Sequence, residues 1–249
     1  NVFAVTQIGA SFVLVAGAVM LLRTFLALQA AAAGFDGGHI LAVNVPVVSY
    51  GRTRDQIRDF YRQLQDRVGQ LAGVDRVALG SNVPWRDGGQ TERAGTRFRA
   101  EGEDRGSGNE DPRAKMRSVS PGYFAVLGVP LKTGRDFTSE DRDGTDRVAI
   151  VSETLAQRVF GDRDPINRRI FWTDPIIKFI GLSGEPRRIV GVVPHIDDEH
   201  ILPQPVMMVY HPVEQEQGGG RLFVHTQVDP YPLVPQIARV ARELVAEQP

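Results

Sequence analysis

His195-Ile196-Asp197-Asp198-Glu199-His200 gathers two imidazoles and three carboxylates within six residues, the densest set of metal-ligating side chains in the sequence. Such donors suit zinc or a hard divalent cation, provided that they converge on one point. Convergence needs a shared face, as at i and i+4 of a helix. Here the donors lie consecutively, beside Pro203 and Pro205, so the stretch reads as a solvated acidic loop and no metal site is expected. His39, His211 and His225 stand apart from it and read as surface or cross-strand residues. The carboxylates of Ser139-Glu140-Asp141-Arg142-Asp143 are interleaved with arginine and followed by glycine. General acid/base work needs two carboxyls held at a fixed separation, so this run reads as a solvated turn.

Nucleophile patterns are equally sparse. Leu79-Gly80-Ser81-Asn82 lacks the second glycine of a Gly-x-Ser-x-Gly elbow and reads as a strand end entering a turn. No Walker A pattern is present to cradle ATP phosphates. The sequence contains no cysteine, which removes disulfides, thiol catalysis and thiolate-bound zinc. A net charge of -1 leaves no basic excess for a phosphate backbone, so nucleic acid is not an expected partner. No catalytic, cofactor-binding or metal-ligating residue is assigned, and no enzyme activity is expected of this chain.

The elements that would position any site can be read from periodicity. Ile40 to Val48 alternates as a strand, with Pro46 placing it at an edge. Thr53 and Gln56 form a capping box, and Ile57, Phe60, Tyr61, Leu64, Val68 and Leu71 follow at helical spacing up to Gly73. Val74 to Leu79 resumes as a strand. Pro84 to Pro112 is rich in Gly, Arg, Glu and Asp, with Phe98 as its large apolar side chain, and reads as a loop, mobile over Gly102 to Pro112.

Ala114 to Val119 is the next ordered stretch. Ser120 is expected to cap a short helix that has Pro121 in its first turn, Tyr123, Phe124 and Leu127 on its apolar face, and Gly128 at its end. Arg147 to Val151 reads as a strand, Ser152 as the cap of a helix bearing Leu155, Val159 and Phe160, and Gly161 as its stop. Ile189 to Val193, Val206 to Tyr210 and Arg221 to Val228 read as strands, and Leu233 to Val245 as a final amphipathic helix. A strand, a Tyr-bearing turn and an amphipathic helix thus occur twice, at Val43 to Leu71 and at Val224 to Val245. The pattern implies two ferredoxin-like half-units split by a long insertion, the second stopping at Pro249 before a closing strand.

Val2 to Leu22 carries no charge, and Thr24 to Leu28 extends the apolar run beyond Arg23. As a helix this crosses a hydrocarbon core of about 30 Å. A buried core helix would show a polar stripe, and none appears. A signal peptide cleaved at Ala30 to Ala33 would place Arg23 between the apolar run and the cleavage site, and the run exceeds a normal signal core. The segment therefore reads as a transmembrane span. Gly9, Ala10, Ala16, Gly17 and Ala18 allow close helix neighbours, while Thr6, Gln7 and Arg23 are expected to face protein or the membrane interface.

Several stretches together resemble a known family. Val119-Ser120-Pro121-Gly122-Tyr123-Phe124, Leu127-Gly128-Val129-Pro130-Leu131, Gly134-Arg135-Asp136-Phe137, Val148 to Ala156 and Asp164-Pro165-Ile166 are similar to the MacB-like periplasmic core domain of FtsX-like ABC transporter permeases, in particular its duplicated orphan permeases of soil bacteria. Leu21-Leu22-Arg23-Thr24-Phe25-Leu26, Gly34-Phe35-Asp36, Arg188 to Val193 and Tyr210-x-Pro212 fit the same pattern.

The resemblance implies an α+β fold: an N-terminal transmembrane helix, then an extracytoplasmic porter-like split βαβ domain with an inserted β-rich subdomain. The expected division is 1–33 for span and stalk, 34–84 for the first porter-like half, 85–205 for the insertion, and 206–249 for the second half. Tyr123, Phe124, Leu127, Phe137, Leu155 and Phe160 are expected in the core of the insertion. The implied function is transmission of ATP-driven motion to an exported substrate or partner outside the membrane. The implied partners are a cytoplasmic ABC ATPase subunit, a second permease copy, membrane lipid and a periplasmic protein. Trp172 to Pro186 departs from the family pattern, and three further spans would be expected after the domain. A single-span sensor or scaffold is the alternative from another class, and an anchored hydrolase a third.

Overall fold

The structure is a computed structural model that describes residues 2–30, 38–45, 52–84, 86–87, 95–102, 110–179, 182–196, 205–216 and 220–247. It opens with one apolar helix, α1 (Val2–Ala30). Between Phe3 and Leu26 this helix is long and apolar enough to cross a membrane, and none of that window is buried against the rest of the chain. In chain order there follow β1 (Ile40–Asn44), α2 (Arg54–Gly69), β2 (Val74–Gly80), β3 (Thr96–Ala100), β4 (Arg113–Val119), α3 (Tyr123–Val126), β5 (Thr133–Gly134), β6 (Val148–Ser152), α4 (Glu153–Phe160), β7 (Arg169–Trp172), β8 (Arg187–Val193), β9 (Met208–Pro212), β10 (Arg221–Thr226) and α5 (Val234–Glu247).

The first unit is a three-stranded sheet in the order β1-β10-β2. β10 is antiparallel to both neighbours, so β1 and β2 run parallel with α2 crossing between them and β10 slotted into the gap. This is the split βαβ arrangement expected from the repeated pattern. The capping box forms as read: the Thr53 hydroxyl accepts from the Gln56 N–H, and the Gln56 side chain accepts from the Thr53 N–H. Phe60, Leu64 and Val68 of α2 and Ile237, Val240 and Leu244 of α5 then bury their apolar faces on Leu41, Leu79, Leu222 and Val224 of the sheet. Each such fully buried side chain contributes about 1.5–3 kcal/mol.

The second unit is a closed ring of six strands. β4 pairs with β3, β3 with β7, β7 with β8, β8 with β6, β6 with β9, and β9 returns to β4. Closure removes the exposed strand edges that a two-sided sheet of this size would carry. Phe98, Ala114, Met116, Ala149, Val151, Ile170, Trp172, Ile189 and Val209 cluster with the Leu155, Val159 and Phe160 face of α4.

Three expectations are corrected, and one strand is added. The segment read as a loop over Pro84 to Pro112 contains β3, whose Phe98 is completely buried; charged neighbours mask a strand that is apolar on one face only. The departing segment Trp172 to Pro186 follows another unexpected strand, β7, which pairs β3 with β8. The strand expected over Val206 to Tyr210, and placed with the second porter-like half, lies at Met208–Pro212 and belongs to the ring. Ser120 does not cap the short helix: Gly122 is its N-cap, and the Ser120 hydroxyl instead accepts the Leu79 N–H at 2.8 Å.

The two units share a seam. Gly80 of β2 pairs with Val119 of β4, Ser81 N–H donates to the Ser118 carbonyl, and Ser120 N–H donates to the Leu79 carbonyl. A third apolar cluster spans the seam, joining Ala78 and Phe223 of the sheet to Tyr123, Phe124, Leu127, Phe137, Ile150 and Tyr210. Tyr123 sets its ring edge-on to both Phe124 and Phe223, with centroids 5.6 and 5.3 Å away. Tyr123, Phe124, Leu127 and Phe137 thus pack in a core with Val148, Ile150, Val190 and Val193 of the ring strands, as expected, and the same core extends across the seam to Ala78 and Phe223.

Candidate functional site

A recessed surface lies where α2 faces the ring. Two grooves, of about 590 and 250 Å³, share Arg62, Ser139 and Glu214 and run together between the polar side of α2 and the loops after β5 and β9. The amphipathic spacing that buries Phe60 and Leu64 leaves Arg58, Arg62 and Asp66 on the opposite side of α2. Arg62 Nη2 meets Glu214 Oε2 at 3.1 Å, and Arg58 Nη2 meets Asp143 Oδ2 at 3.4 Å, so two ion pairs cross the groove.

The far wall is held by Asp141. Its carboxylate accepts both Arg135 Nη1 and Nη2, at 2.7 and 2.8 Å, and the Thr138 N–H at 2.8 Å. Burial works to raise its pKa, and these donors outweigh that and hold it below the usual carboxylate range. Nearby, Asp136 accepts from the N–H groups of Gly122 and Phe137, yet burial dominates and raises its pKa.

Beneath this wall the ring is plugged by charge. Glu216, on the turn after β9, accepts from Arg187 Nη2 and, at 3.2 Å, from Arg147 Nη1. Arg187 is 1% exposed. Gln215 completes the plug by accepting the Val148 N–H and donating to the Asp146 carbonyl. His211 lies fully buried in the same region with its ring 5.7 Å from Trp172. Desolvation, then the Arg187 and Arg147 charges, lower its pKa well below the ordinary value, so it stays neutral.

The residues singled out in the sequence do not converge. Asp197 to His200 lie outside the described residues. His225 takes part in the β1–β10 ladder, with Nδ1 3.1 Å from Asp75, and His39 sits 6.5 Å from it, ring to ring. His211, read as a surface or cross-strand residue, is a cross-strand residue of β9 opposite Ser118, with its ring in the interior. Asp141, read as part of a solvated turn, is an almost fully buried clasp, whereas Glu140 and Asp143 of the same run are exposed. The buried Arg187–Glu216 pair went unread because nothing local distinguishes those residues from the other charged ones. Among the described residues, serine, carboxylate and guanidinium groups line the grooves without a nucleophile beside a base.

Comparison with known proteins agrees with this architecture. Residues 8–239 match the model of the MacB-like periplasmic core domain. A 116-residue stretch, 47% of this chain, is 27% identical to the macrolide export ATP-binding/permease protein MacB of Neisseria gonorrhoeae, of which it covers 17%. A stretch of 84 residues, 34% of the chain, is 27% identical to the ABC transporter permease YknZ of Bacillus subtilis and covers 19% of it. The chain thus spans only a small part of the length of these relatives. The solved periplasmic region of MacB from Actinobacillus actinomycetemcomitans superposes with a TM-score of 0.52 at 15% identity, over 86% of this chain and 87% of that one, a likeness of fold. The match over nearly the whole chain, on a mixed α+β body behind one apolar helix, shows that this chain belongs to the MacB-like periplasmic core domain family of ABC transporter permeases.

Proposed function

We propose that this chain is the extracytoplasmic core and one membrane span of an ABC transporter permease, located at the bacterial inner membrane and converting motion of a separate cytoplasmic ATPase into work outside it. The carrying observation is the seam. α1 leads into β1, β1 is locked through β10 to β2, and β2 passes by strand pairing and a shared apolar cluster into the ring. A displacement of the span is delivered to the ring as a rigid movement, because close-packed cores transmit strain instead of absorbing it.

A second copy of the permease would give the ring something to move against, and an exported substrate or a periplasmic protein would receive the work. The names of the two curated relatives, one an ATP-binding/permease protein and one an ABC transporter permease, support an ATPase partner. The chain itself contributes structure and motion instead of a reaction centre.

The test is purification of the native protein in mild detergent, followed by a vanadate-sensitive ATP hydrolysis assay on what accompanies it. An accompanying ATPase whose activity depends on this subunit supports the reading. A protein that emerges alone, with no ATPase, overturns it in favour of a sensor or scaffold.

A further inference from the structure

One end of the three-stranded sheet is tied to α1. The helix ends at Ala30 and β1 begins at Ile40, so the connecting chain can span at most about 35 Å. β10 reaches this same end, where the Thr226 N–H donates to the His39 carbonyl at 3.1 Å, and β2 starts there with Val74 opposite Thr226. The turn from β10 into α5 is therefore at the end of the sheet where the chain arrives from the apolar helix.

That turn is apolar and outward-facing. Val228 is 66% and Tyr231 72% exposed, with the partly exposed Val234 behind them. It is also built. The Thr226 hydroxyl donates to the Val228 carbonyl, Asp229 accepts the Tyr231 N–H at 3.0 Å, and the Leu233 N–H donates to the Pro230 carbonyl, while Leu233 itself is buried among the helix–sheet side chains. A turn held in this way presents apolar side chains at no additional ordering cost. An aromatic ring with a polar tip, beside an aliphatic side chain and two prolines, is the composition that partitions into the headgroup layer of a bilayer.

We infer that the turn from Val228 to Tyr231 seats in the headgroup layer of the membrane that α1 crosses, giving the domain a second, lipid-mediated point of support. The inference rests on α1 being a membrane span. It gives the lever a pivot: tilting of α1 would rock the sheet about this contact instead of merely translating it.

Another exposed apolar pair among the described residues, Ile176 and Phe179, supplies the control. From Val74 the chain climbs β2 to Gly80, continues antiparallel along β4 from Val119 to Arg113, and there meets Asp174 at 4.0 Å. Twelve strand steps, a path of about 40 Å along β2 and β4, separate this second pair from the turn.

The sequence has no cysteine, so single labels can be placed without background. The full chain carrying Tyr231→Cys, Phe179→Cys or Val13→Cys would be labelled with bimane and reconstituted into phosphatidylcholine/phosphatidylglycerol vesicles containing nitroxide lipids, with the nitroxide at the headgroup or in mid-chain. The expected result is headgroup quenching at position 231 at least about threefold that at position 179, with position 13 quenched by the mid-chain probe. Quenching at position 13 with position 231 equal to position 179 would overturn the inference and leave the span intact. No quenching at position 13 would overturn both. Shielding of position 231 that rises with protein density and not with nitroxide content would assign the turn to a second copy, and that too would refute lipid seating.

Discussion

Truncating Glu216 to alanine tests whether the ring depends on its charged plug. Arg187 is 1% exposed and its guanidinium reaches the Glu216 carboxylate directly, while Arg147, whose side chain is 18% exposed, shares the same oxygen. Removing the carboxylate leaves a buried cation facing a second cation across the vacated space, with the neutral His211 and Trp172 nearby unable to compensate. Breaking a buried pair in this way costs about 3–5 kcal/mol, and for a domain of this size that lowers Tm by roughly 6–20 °C. The assay is thermal and urea unfolding of the full chain in detergent, followed by fluorescence of the tryptophans. The double variant Arg187→Met/Glu216→Leu separates charge from shape. It fills the plug with apolar side chains and is expected to recover most of the loss, because a desolvated ion pair is seldom better than well-packed hydrocarbon. A Glu216→Ala loss below about 1 kcal/mol, the range of an exposed pair, would refute the burial argument.

Other perturbations follow from individual contacts. The Asp87 pKa falls to about 2, because hydrogen bonds from Arg86, Val83 N–H and Arg221 outweigh the burial that raises it. Its folded value is depressed, so its stabilising share is full above about pH 4 and is lost as pH falls toward 2; Asp87→Asn should flatten that part of a stability–pH curve. In Gly134→Ala a Cβ would sit 2.2 Å from the Val190 carbonyl oxygen at φ +80°, so we expect a loss of about 2 kcal/mol or more by urea unfolding, against about 1 for Gly144→Ala, which has positive φ but open space. Ser152 caps α4 through the Leu155 N–H and also accepts the Met208 N–H from β9. Ser152→Ala should therefore cost about 2–3 kcal/mol, more than the roughly 1 kcal/mol expected for Thr53→Ala at a cap exposed on α2, and comparable losses for the two would contradict the dual role.

Elements governed by local rules were legible in the sequence. The capping box at Thr53 and Gln56, the helical spacing through Val68, the cap at Ser152 and the uncharged run of α1 each depend on residues within a few turns of one another, and each formed close to where it was read. The ring was less legible because it is made by pairing at long range. β3 has arginines on either side of Phe98, β7 is a four-residue strand beginning with Arg169, and neither looks like a strand until it finds its partner. The same reasoning explains Asp141 and His211. Composition places a carboxylate among arginines at the surface and cannot tell that three donors will enclose it, nor that strand closure will put an imidazole inside.

β4 is where these local and distant orders meet. Along one edge it holds β9 throughout, from Lys115 to Val119; along the other it holds β3 at its start and β2 at its last residue. A strand shared in this way cannot shift register in one unit without breaking the ladder of the other, because a one-residue slip would turn every side chain to the opposite face. Gly80 tightens the constraint: a Cβ there would lie within 2.9 Å of the Phe223 and Tyr123 rings, so the seam has no slack on its aromatic side. On the α2 side the joint is instead a groove crossed by two exposed ion pairs, contacts that break and re-form at little cost. The sheet and ring are thus welded along one side and latched along the other, which confines any relative motion to a small flexing about the β2–β4 seam. The transmission proposed above calls for that anisotropy, stiff along the path through the seam and compliant only where the groove opens.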